Sequence, residues 1–305
     1  MEFANHERNY EVRTAVSSDA REITQLLKRV PYSHVHVDWR LPVDWLGEPG
    51  FVALPEPMFS TEQRRSVAAK FLPPRERLQG CLAATADPPP AAWVRVASVA
   101  AAADPQTALA AMLAHVEDYL RETAVTQLGW LAVQDWPNAW LPDLGFRRAN
   151  EIETYMKEDA GLPKITAVSR LVIRPAQLSD MPHLAAIEAL AFDPLWRYSA
   201  DALALANRQA LCFDVAELDD DIVGFQLSSW AGDGAHLVRI TINPNIQKQG
   251  IGSALLAHAI TTYRQRGLSR ISLNTQVDNI ASQYLYRKFG FIASQQRFPV
   301  WVKDL

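Results

Sequence analysis

A glycine-containing turn between an apolar run and an amphipathic segment constrains this chain most. The turn, Gln247-Lys248-Gln249-Gly250-Ile251-Gly252, follows the apolar residues 237–242 and opens the apolar-periodic segment 253–263. This order predicts a strand, a tight turn and a helix. Two glycines let the backbone turn sharply and approach a ligand, while the first amides of the helix and its dipole favour an anion. We therefore predict a pyrophosphate site on this turn.

Two common phosphate folds are excluded by the surrounding residues. Asn243-Pro244 breaks the strand before the turn, but no lysine-serine or lysine-threonine pair follows the glycines, as a P-loop requires. A dinucleotide fold places an acidic residue about twenty positions further on. That neighbourhood is basic instead, with arginines at 264, 266 and 270. The turn must therefore bind a different phosphate ligand.

A second motif lies downstream, from Asn279 through Tyr286 to Gly290-Phe291. The pattern Q-x-x-G-x-G after one strand, followed by N-x-x-[AS]-x-x-L-Y-x-x-x-G-F after the next, resembles the GNAT acyl-CoA-dependent N-acetyltransferase superfamily. Both motifs match in order within residues 171–305. The resemblance implies an α/β fold whose mixed sheet opens between its fourth and fifth strands, with acetyl-CoA in the gap as co-substrate and no metal.

The resemblance also implies residue roles. The strand backbone would bond the pantetheine arm and polarise the thioester carbonyl, the turn would hold the pyrophosphate, and Tyr286 would protonate the departing thiolate. A phenol with an ordinary pKa near 10 is protonated at neutral pH and can donate. The predicted cofactor-binding residues are Ile240, Thr241, Ile242, Gln247, Lys248, Gln249, Gly250, Ile251, Gly252, Ser253 and Asn279.

Simpler structural roles remain open for three of these residues. Asn279 follows Asp278 before an apolar-periodic segment, so it can be a plain helix N-cap. Tyr286 can be a packed helix aromatic. Backbone amides can bind phosphate without Gln247.

An internal repeat relates the two halves of the chain. Residues 12–19 parallel residues 173–180, residues 93–97 parallel residues 237–241, and residues 138–146 resemble the second motif. The last strands, near 155–158 and 301–304, also match. The sequence therefore predicts two tandem GNAT-like domains.

The first copy lacks the chemistry of the second. Ala103, Gln106 and Ala108 stand where the second copy has Gln247, Gly250 and Gly252, and Leu141 replaces Tyr286. Side chains would fill the pyrophosphate space, and leucine cannot donate a proton. We predict a non-catalytic domain at 1–158 that packs and shapes the acceptor site, a linker at 159–169 with turn formers, and a catalytic domain at 170–305.

The superfamily generally builds its acceptor pocket between the first two helices of the domain. Here that segment contains Phe192, Asp193 and Trp196. These aromatic and charged residues indicate a site for an amine or a peptide, with Asp193 orienting an ammonium group. The alternative is that Phe192 and Trp196 are core residues.

The general base is harder to assign. Family members that acetylate the N-terminal alanine of a ribosomal protein usually carry glutamate at the position of Asn274, and asparagine cannot accept a proton. His236, eleven residues before Gln247, falls where histone-type members place a base glutamate. An imidazole can serve as that base, although residues 233–236 can equally be a turn entering a strand.

The whole chain is compatible with a two-domain enzyme. It has 305 residues, of which 49% are hydrophobic, and a net charge of −4 that argues against nucleic acid as a partner. Cys81 and Cys212 have no zinc-site spacing and are predicted to be buried thiols in a reducing compartment. No signal-peptide or membrane-spanning pattern is present, so a cytoplasmic protein is expected.

Three local patterns complete the interpretation. His34, His36 and Asp38 share one face of an extended segment, which suggests an exposed polar strand face more than a metal site. The prolines 88–90 and the aspartates 219–221 are each interpreted as a hairpin turn.

Two functions are compatible with these features. In the first, an amine attacks the thioester directly, and the acceptor is a small polar metabolite, as in tandem family members that acetylate an amino-sugar precursor, or a peptide N-terminus. In the second, the chain binds acyl-CoA as a sensor or regulatory module without turnover. The acyl chain length and the oligomeric state are not determined by the sequence.

Overall fold

A computed structural model describes residues 10–36, 39–56, 77–101, 104–159 and 161–305. The chain forms two compact units. The first takes the residues up to 86, residues 92–147 and residues 302–305, and the second takes residues 87–91 and 148–301. None of the helices among the described residues is long and apolar enough to cross a bilayer.

The described residues of the first unit form a sheet and two α-helices. Its helices are α1 (Ala20–Arg29) and α2 (Pro105–Arg121), and its strands are β1 (Arg13–Thr14), β2 (Tyr32–Val35), β3 (Phe51–Pro55), β4 (Leu78–Thr85), β5 (Ala91–Val99) and β6 (Gln127–Leu131). The strand order is β1-β3-β4-β5-β6, and β2 pairs with β5. Every residue of β5 is buried, as expected for a central strand whose sequence is apolar except at Arg95 and Ser98.

The second unit has a larger mixed sheet. Its helices are α3 (Met181–Ala191), α4 (Ala200–Gln209), α5 (Ile251–Gln265) and α6 (Ile280–Lys288), and its strands are β7 (Arg147–Lys157), β8 (Leu171–Pro175), β9 (Cys212–Leu218), β10 (Asp221–Ala231), β11 (Gly234–Ile242), β12 (Ile271–Gln276) and β13 (Ile292–Asp304). The strand order is β13-β7-β12-β11-β10-β9-β8. The predicted mixed α/β fold is confirmed, with β11 and β12 parallel.

The sheet of the second unit opens between β11 and β12, its fourth and fifth strands from β8. The two strands pair only at Ala235–Ile271, His236–Ser272 and Leu237–Leu273. β11 continues to Ile242 while pairing with β10 on its other side. In that ladder Leu227 faces Arg239 and Ser228 faces Leu237, so Val238 is an extra residue that bends β11. The resemblance implied this opening, and the register confirms it.

Both units begin with the same local arrangement. Arg13 donates two hydrogen bonds to the Asp19 carboxylate, and Asp19 also accepts from the amide of Val16. Arg174 and the Gln177 amide donate to Asp180 in the same way. In each case the strand ends six residues before the first residue of the next α-helix. This recurrence supports the predicted internal repeat.

Strand β7 belongs to the sheet of the second unit although it precedes the predicted linker. It pairs antiparallel with β12 from Lys157–Ile271 to Ile152–Gln276. Compact units and repeated copies are therefore different divisions of this chain. The boundaries 1–158, 159–169 and 170–305 remain a prediction about the copies.

The smaller sequence interpretations have mixed outcomes. The two hairpins are confirmed, since β4 pairs with β5 and β9 pairs with β10 around the proline and aspartate turns. Cys81 is buried, whereas Cys212 is only partly buried.

The predicted exposed face on β2 is wrong for His34. This residue is fully buried, and its ring nitrogens contact Gln134 Oε1 at 3.2 Å and the Val94 carbonyl at 3.4 Å. Burial lowers the pKa of His34 to about 4, so the ring is neutral. Asp38 lies outside the described residues, and among those described no group of three or more His, Cys, Asp or Glu is arranged to hold a metal ion.

Candidate active site

The glycine turn is exposed at the N-terminus of α5. Lys248 and Gly250 both have left-handed backbones, with φ of 65° and 87°. Gly250 is the N-cap of α5, and no side chain caps this helix end. Residues 247–250 are exposed. Alternating left-handed residues before a helix form a concave set of amides that suits an anion.

The two glycines of the turn are required for different reasons. A side chain at Gly250 would be strained by its positive φ and would lie 3.3 Å from Val168 Cγ2. At Gly252 an added Cβ would meet Leu285 Cδ2 and Ile242 Cγ1 at 3.6 and 3.7 Å, which are ordinary contact distances. The packing of the protein itself therefore does not demand glycine at 252. Its smallness leaves room beside the helix amides for a ligand.

Gln247 connects the turn to the end of β11. Its side-chain Nε2 donates to the carbonyl of Ile242 at 3.2 Å. This bond orients the turn relative to the strand edge. Binding of phosphate by the Gln247 side chain remains a prediction.

Tyr286 lies inside the second unit, on α6. It is 5% exposed and packs in the core with Tyr155 of β7 and Phe291, with ring centroids 6.3 and 5.9 Å apart. Burial raises the pKa of Tyr286 to about 12, opposed by a hydrogen bond with Ser282 and by the charge of Arg239. The phenol is therefore fully protonated at neutral pH, as an acid must be. Tyr286 is also a packed aromatic, so the two interpretations of this residue are compatible.

Asn279 caps α6. Its side-chain oxygen accepts from the amide of Ser282 at 3.1 Å, which is the bond expected of an N-cap. The structural interpretation of Asn279 is therefore confirmed. A contact with a ligand stays a prediction.

His236 lies on β11 just before the strands separate. Its Nδ1 is 2.8 Å from Ser272 Oγ on β12, and burial lowers the pKa of His236. A neutral imidazole at neutral pH can accept a proton. Asn274 lies one residue beyond the last pair of β12 with β11, is exposed, and accepts a hydrogen bond from Thr154 Oγ1 of β7 at 2.9 Å.

The predicted acceptor segment lies between α3 and α4. Phe192 and Trp196 are partly buried, and Asp193 is exposed. The guanidinium of Arg239 on β11 lies 4.4 Å from the centre of the Phe192 ring. It also donates to the Trp196 carbonyl at 2.7 Å. Phe192 and Trp196 therefore contact Arg239 of the strand whose backbone edge is open.

A buried carboxylate beneath this segment was missed by the sequence reasoning. Glu188 of α3 is fully buried, accepts from Thr241 Oγ1 at 2.6 Å, and lies 3.7 Å from Arg239 Nε. Burial raises the pKa of Glu188, while Arg239, Thr241 and the Tyr198 amide oppose that shift. The sequence did carry a signal, because Glu188 falls on the buried face of α3 beside Leu184 and Ile187.

The first unit closes the equivalent edge. The repeat sets Arg95 against Arg239, so residues 96–99 of β5 correspond to residues 240–243. In the first unit, β2 pairs antiparallel with this edge from Val35–Val96 to Tyr32–Val99. Its helix α2 starts after the acidic N-cap Asp104, and Leu141 is fully buried. Ala103 lies outside the described residues; Gln106 and Ala108 are on α2.

Comparison with known proteins gives concordant results. Residues 176–291 match the model of the acetyltransferase (GNAT) family. Over 119 residues, 39% of this chain and 79% of the relative, the chain is 29% identical to ribosomal protein bS18-alanine N-acetyltransferase of Escherichia coli (strain K12).

Two solved structures share the fold over nearly the whole chain. A GCN5-related N-acetyltransferase from Sphaerobacter thermophilus is 15% identical with a TM-score of 0.59, over 97% of this chain and 95% of that one. A tandem GNAT protein from the clavulanic acid biosynthesis pathway is 15% identical with a TM-score of 0.58, over 97% of this chain and 98% of that one. At these identities the likeness concerns the fold alone.

Proposed function

We propose that the chain is an acyltransferase, similar to the acetyltransferase (GNAT) family, that transfers an acetyl group from acetyl-CoA to a primary amine by direct attack. One observation carries this proposal. In the second unit an uncapped helix N-terminus, an open strand edge and a buried, protonated tyrosine belong to adjoining elements. The helix N-terminus would bind an anion, the strand edge would bind the thioester arm, and the tyrosine would act as the acid.

The residues present suit coenzyme A. The amides of residues 248–253 would hold its pyrophosphate, with Gln247 orienting the turn and Gly252 leaving space beside it. The backbone of Ile240, Thr241 and Ile242 lies beyond the last pair with β12, so its polar groups on that edge would bond the pantetheine arm. Bound acetyl-CoA supplies the activated acetyl group.

Residues of the chain would then stabilise the oxyanion and carry out two proton transfers. Amides on the open edge of β11 would stabilise the developing oxyanion. Tyr286 would donate its proton to the departing thiolate, which breaks the carbon–sulfur bond without leaving a free anion. His236 would take a proton from the acceptor ammonium, directly or through water.

The acceptor is a primary amine, either a peptide N-terminus or a small polar metabolite. The similarity to an enzyme named ribosomal protein bS18-alanine N-acetyltransferase favours a peptide. Asn274, where such enzymes usually carry glutamate, favours another acceptor or another base. His236 offers that other base within the same sheet.

The first copy, residues 1–158, is proposed to be non-catalytic. Its own strand β2 occupies the edge that would otherwise bond a pantetheine arm. Asp104 adds a negative charge at the helix end where a phosphate would bind. A role in packing and in shaping the acceptor site remains for residues 1–158.

We expect His236→Ala to lower kcat/KM by about 10²–10⁴-fold and to remove the acidic limb of the pH profile. Because burial lowers the pKa of His236, the wild-type rate should hold below pH 6.5 and fall only as the pH approaches that lowered pKa. The control is His183→Ala, an exposed histidine on α3. An unchanged rate and pH profile in His236→Ala would exclude this base.

The proposed activity is tested by an acetyl-CoA turnover screen across amines, amino sugars and short peptides with free N-termini. Thiol release that depends on one acceptor class is expected, together with calorimetric binding of acetyl-CoA to the free protein. If calorimetry detects no binding of coenzyme A or acetyl-CoA, the proposed function is wrong.

A further inference from the structure

Arg239 joins β11 to the segment 192–198, here called the acceptor loop. Its guanidinium lies between two aromatic rings of that loop, 4.4 Å from the Phe192 centroid and 4.5 Å from the Tyr198 centroid. It donates to the Trp196 carbonyl at 2.7 Å. One side chain of the sheet thus contacts the loop at its beginning, middle and end. Stacking of arginine on aromatic faces adds cation–π attraction to the hydrogen bond.

Glu188 fixes both partners of this contact. Its Oε2 lies 3.7 Å from Arg239 Nε and accepts from the Tyr198 amide at 3.3 Å. Its Oε1 accepts from the Thr241 hydroxyl at 2.6 Å. The carboxylate therefore binds the loop, the arginine and β11 at once. Because Glu188 is fully buried, its charge is weakly screened, and removing Arg239 alone would leave it uncompensated.

The place of Arg239 along β11 links this cluster to the reaction. It directly precedes residues 240–242, whose edge is open toward β12. Val238, the extra residue of the ladder with β10, directly precedes Arg239, so the bend in the strand occurs at this point. Its positive charge also reaches Tyr286, where it opposes the increase in pKa that burial causes.

We propose that Glu188 and Arg239 are positioning residues that hold the acceptor loop against β11 beside the open strand edge. The proposal rests on the proposed function for the statement that this loop borders the acceptor. Neither residue needs to touch the acetyl group. Their effect is to fix where Phe192 and Trp196 lie relative to the thioester, and so which amines can approach it.

Tryptic cleavage within the acceptor loop, after Arg197, reports whether the loop is held in place. Trypsin cleaves after arginine, and the bond after Arg197 is formed by the Tyr198 amide that Glu188 accepts from. The Arg197 side chain is also held, with Nε donating to the Phe192 carbonyl at 2.8 Å. Cleavage at this bond requires local release of the loop. Cleavage after the exposed Lys248 in the glycine turn serves as an internal reference.

The experiment measures the ratio of tryptic cleavage after Arg197 to cleavage after Lys248 in the full chain, together with Tm. Glu188→Met and Arg239→Met should each raise the ratio at least about tenfold by freeing the loop. Arg239→Lys keeps the charge but loses the planar guanidinium that stacks on both rings, so its ratio should fall between those of wild type and Arg239→Met. Arg270→Met, which removes an exposed ion pair with Asp233 in the same unit, is the matched control and should leave the ratio unchanged.

The double variant Glu188→Met with Arg239→Met separates positioning from stability. Replacing a buried ion pair by apolar side chains of similar size is often neutral, so Tm should return toward wild type. The ratio should stay high, because the contacts to the Trp196 carbonyl and the Tyr198 amide remain absent. A ratio that returns to wild type with Tm, or single variants that leave it unchanged, would overturn the proposal.

The same digestion distinguishes this proposal from the proposed function. Acetyl-CoA bound at the glycine turn should slow cleavage after Lys248 in wild type. If acetyl-CoA has no effect there while the Arg197 results hold, the proposed function fails and the positioning of the loop by Glu188 and Arg239 stands.

Discussion

Tyr286→Phe is expected to lower the rate of acetyl transfer by about 10²–10⁴-fold, the usual contribution of a positioned acid. The phenylalanine ring keeps the packing against Tyr155 and Phe291 but has no proton to give to the thiolate. Burial raises the pKa of Tyr286 to about 12, so the wild-type phenol stays protonated through the neutral range and this loss should not depend on pH there. The measurement is kcat by release of free thiol from acetyl-CoA.

Binding of acetyl-CoA should be retained in Tyr286→Phe, to within about threefold by calorimetry, because the anion site and the strand edge are unchanged. Tyr284→Phe is the matched control, since Tyr284 lies on the same helix and is 74% exposed. Full turnover in Tyr286→Phe would refute its role as the acid. Normal binding in a wild-type protein that turns over none of the amines screened would instead favour the sensor function.

The parts of the site that the sequence predicted are those with local causes. Gly250 adopts a positive φ and begins α5, and Asn279 bonds an amide three residues ahead in the chain. Such features depend on a few neighbouring residues, so the local sequence pattern is sufficient to predict them. The position of Tyr286 within α6 follows in the same way from its place before the helix end.

The parts that the sequence did not predict depend on contacts between distant segments. Glu188 and Arg239 belong to a helix and a strand far apart in the chain, and only the packing of α3 on the sheet brings them together. A single buried glutamate in an amphipathic helix indicates a partner without identifying it.

The pairing of the strands was also not predicted from the sequence. Nothing in residues 148–157 indicates that they pair with β12, because an alternating strand pattern does not specify its neighbour. The same holds for β2, which covers an edge of β5 that the repeat alignment left open. The pairing of β2 therefore supports, in addition to the missing glycines, the proposal that the first copy does not bind the cofactor.

Ser253→Glu is expected to weaken acetyl-CoA binding about 10–100-fold while leaving the fold intact. Ser253 is the third residue of α5, within the turn whose amides form the predicted pyrophosphate site. A carboxylate there would repel the diphosphate by about 2 kcal/mol at roughly 8 Å and an effective dielectric constant near 20. An acid in the first turn of a helix is favourable by about 0.3–1 kcal/mol, so Tm should hold or rise slightly.

Ser253→Gln separates charge from size, since it adds a side chain of the same length without the negative charge. Ser253→Gln should bind acetyl-CoA within about threefold of wild type. Added salt should reduce the difference in acetyl-CoA affinity between the two variants, because salt screens only the charge. Calorimetry at low and high salt provides both measurements. If Ser253→Glu binds acetyl-CoA as tightly as Ser253→Gln, the diphosphate does not lie at the start of α5, and the anion site must be sought elsewhere on the second unit.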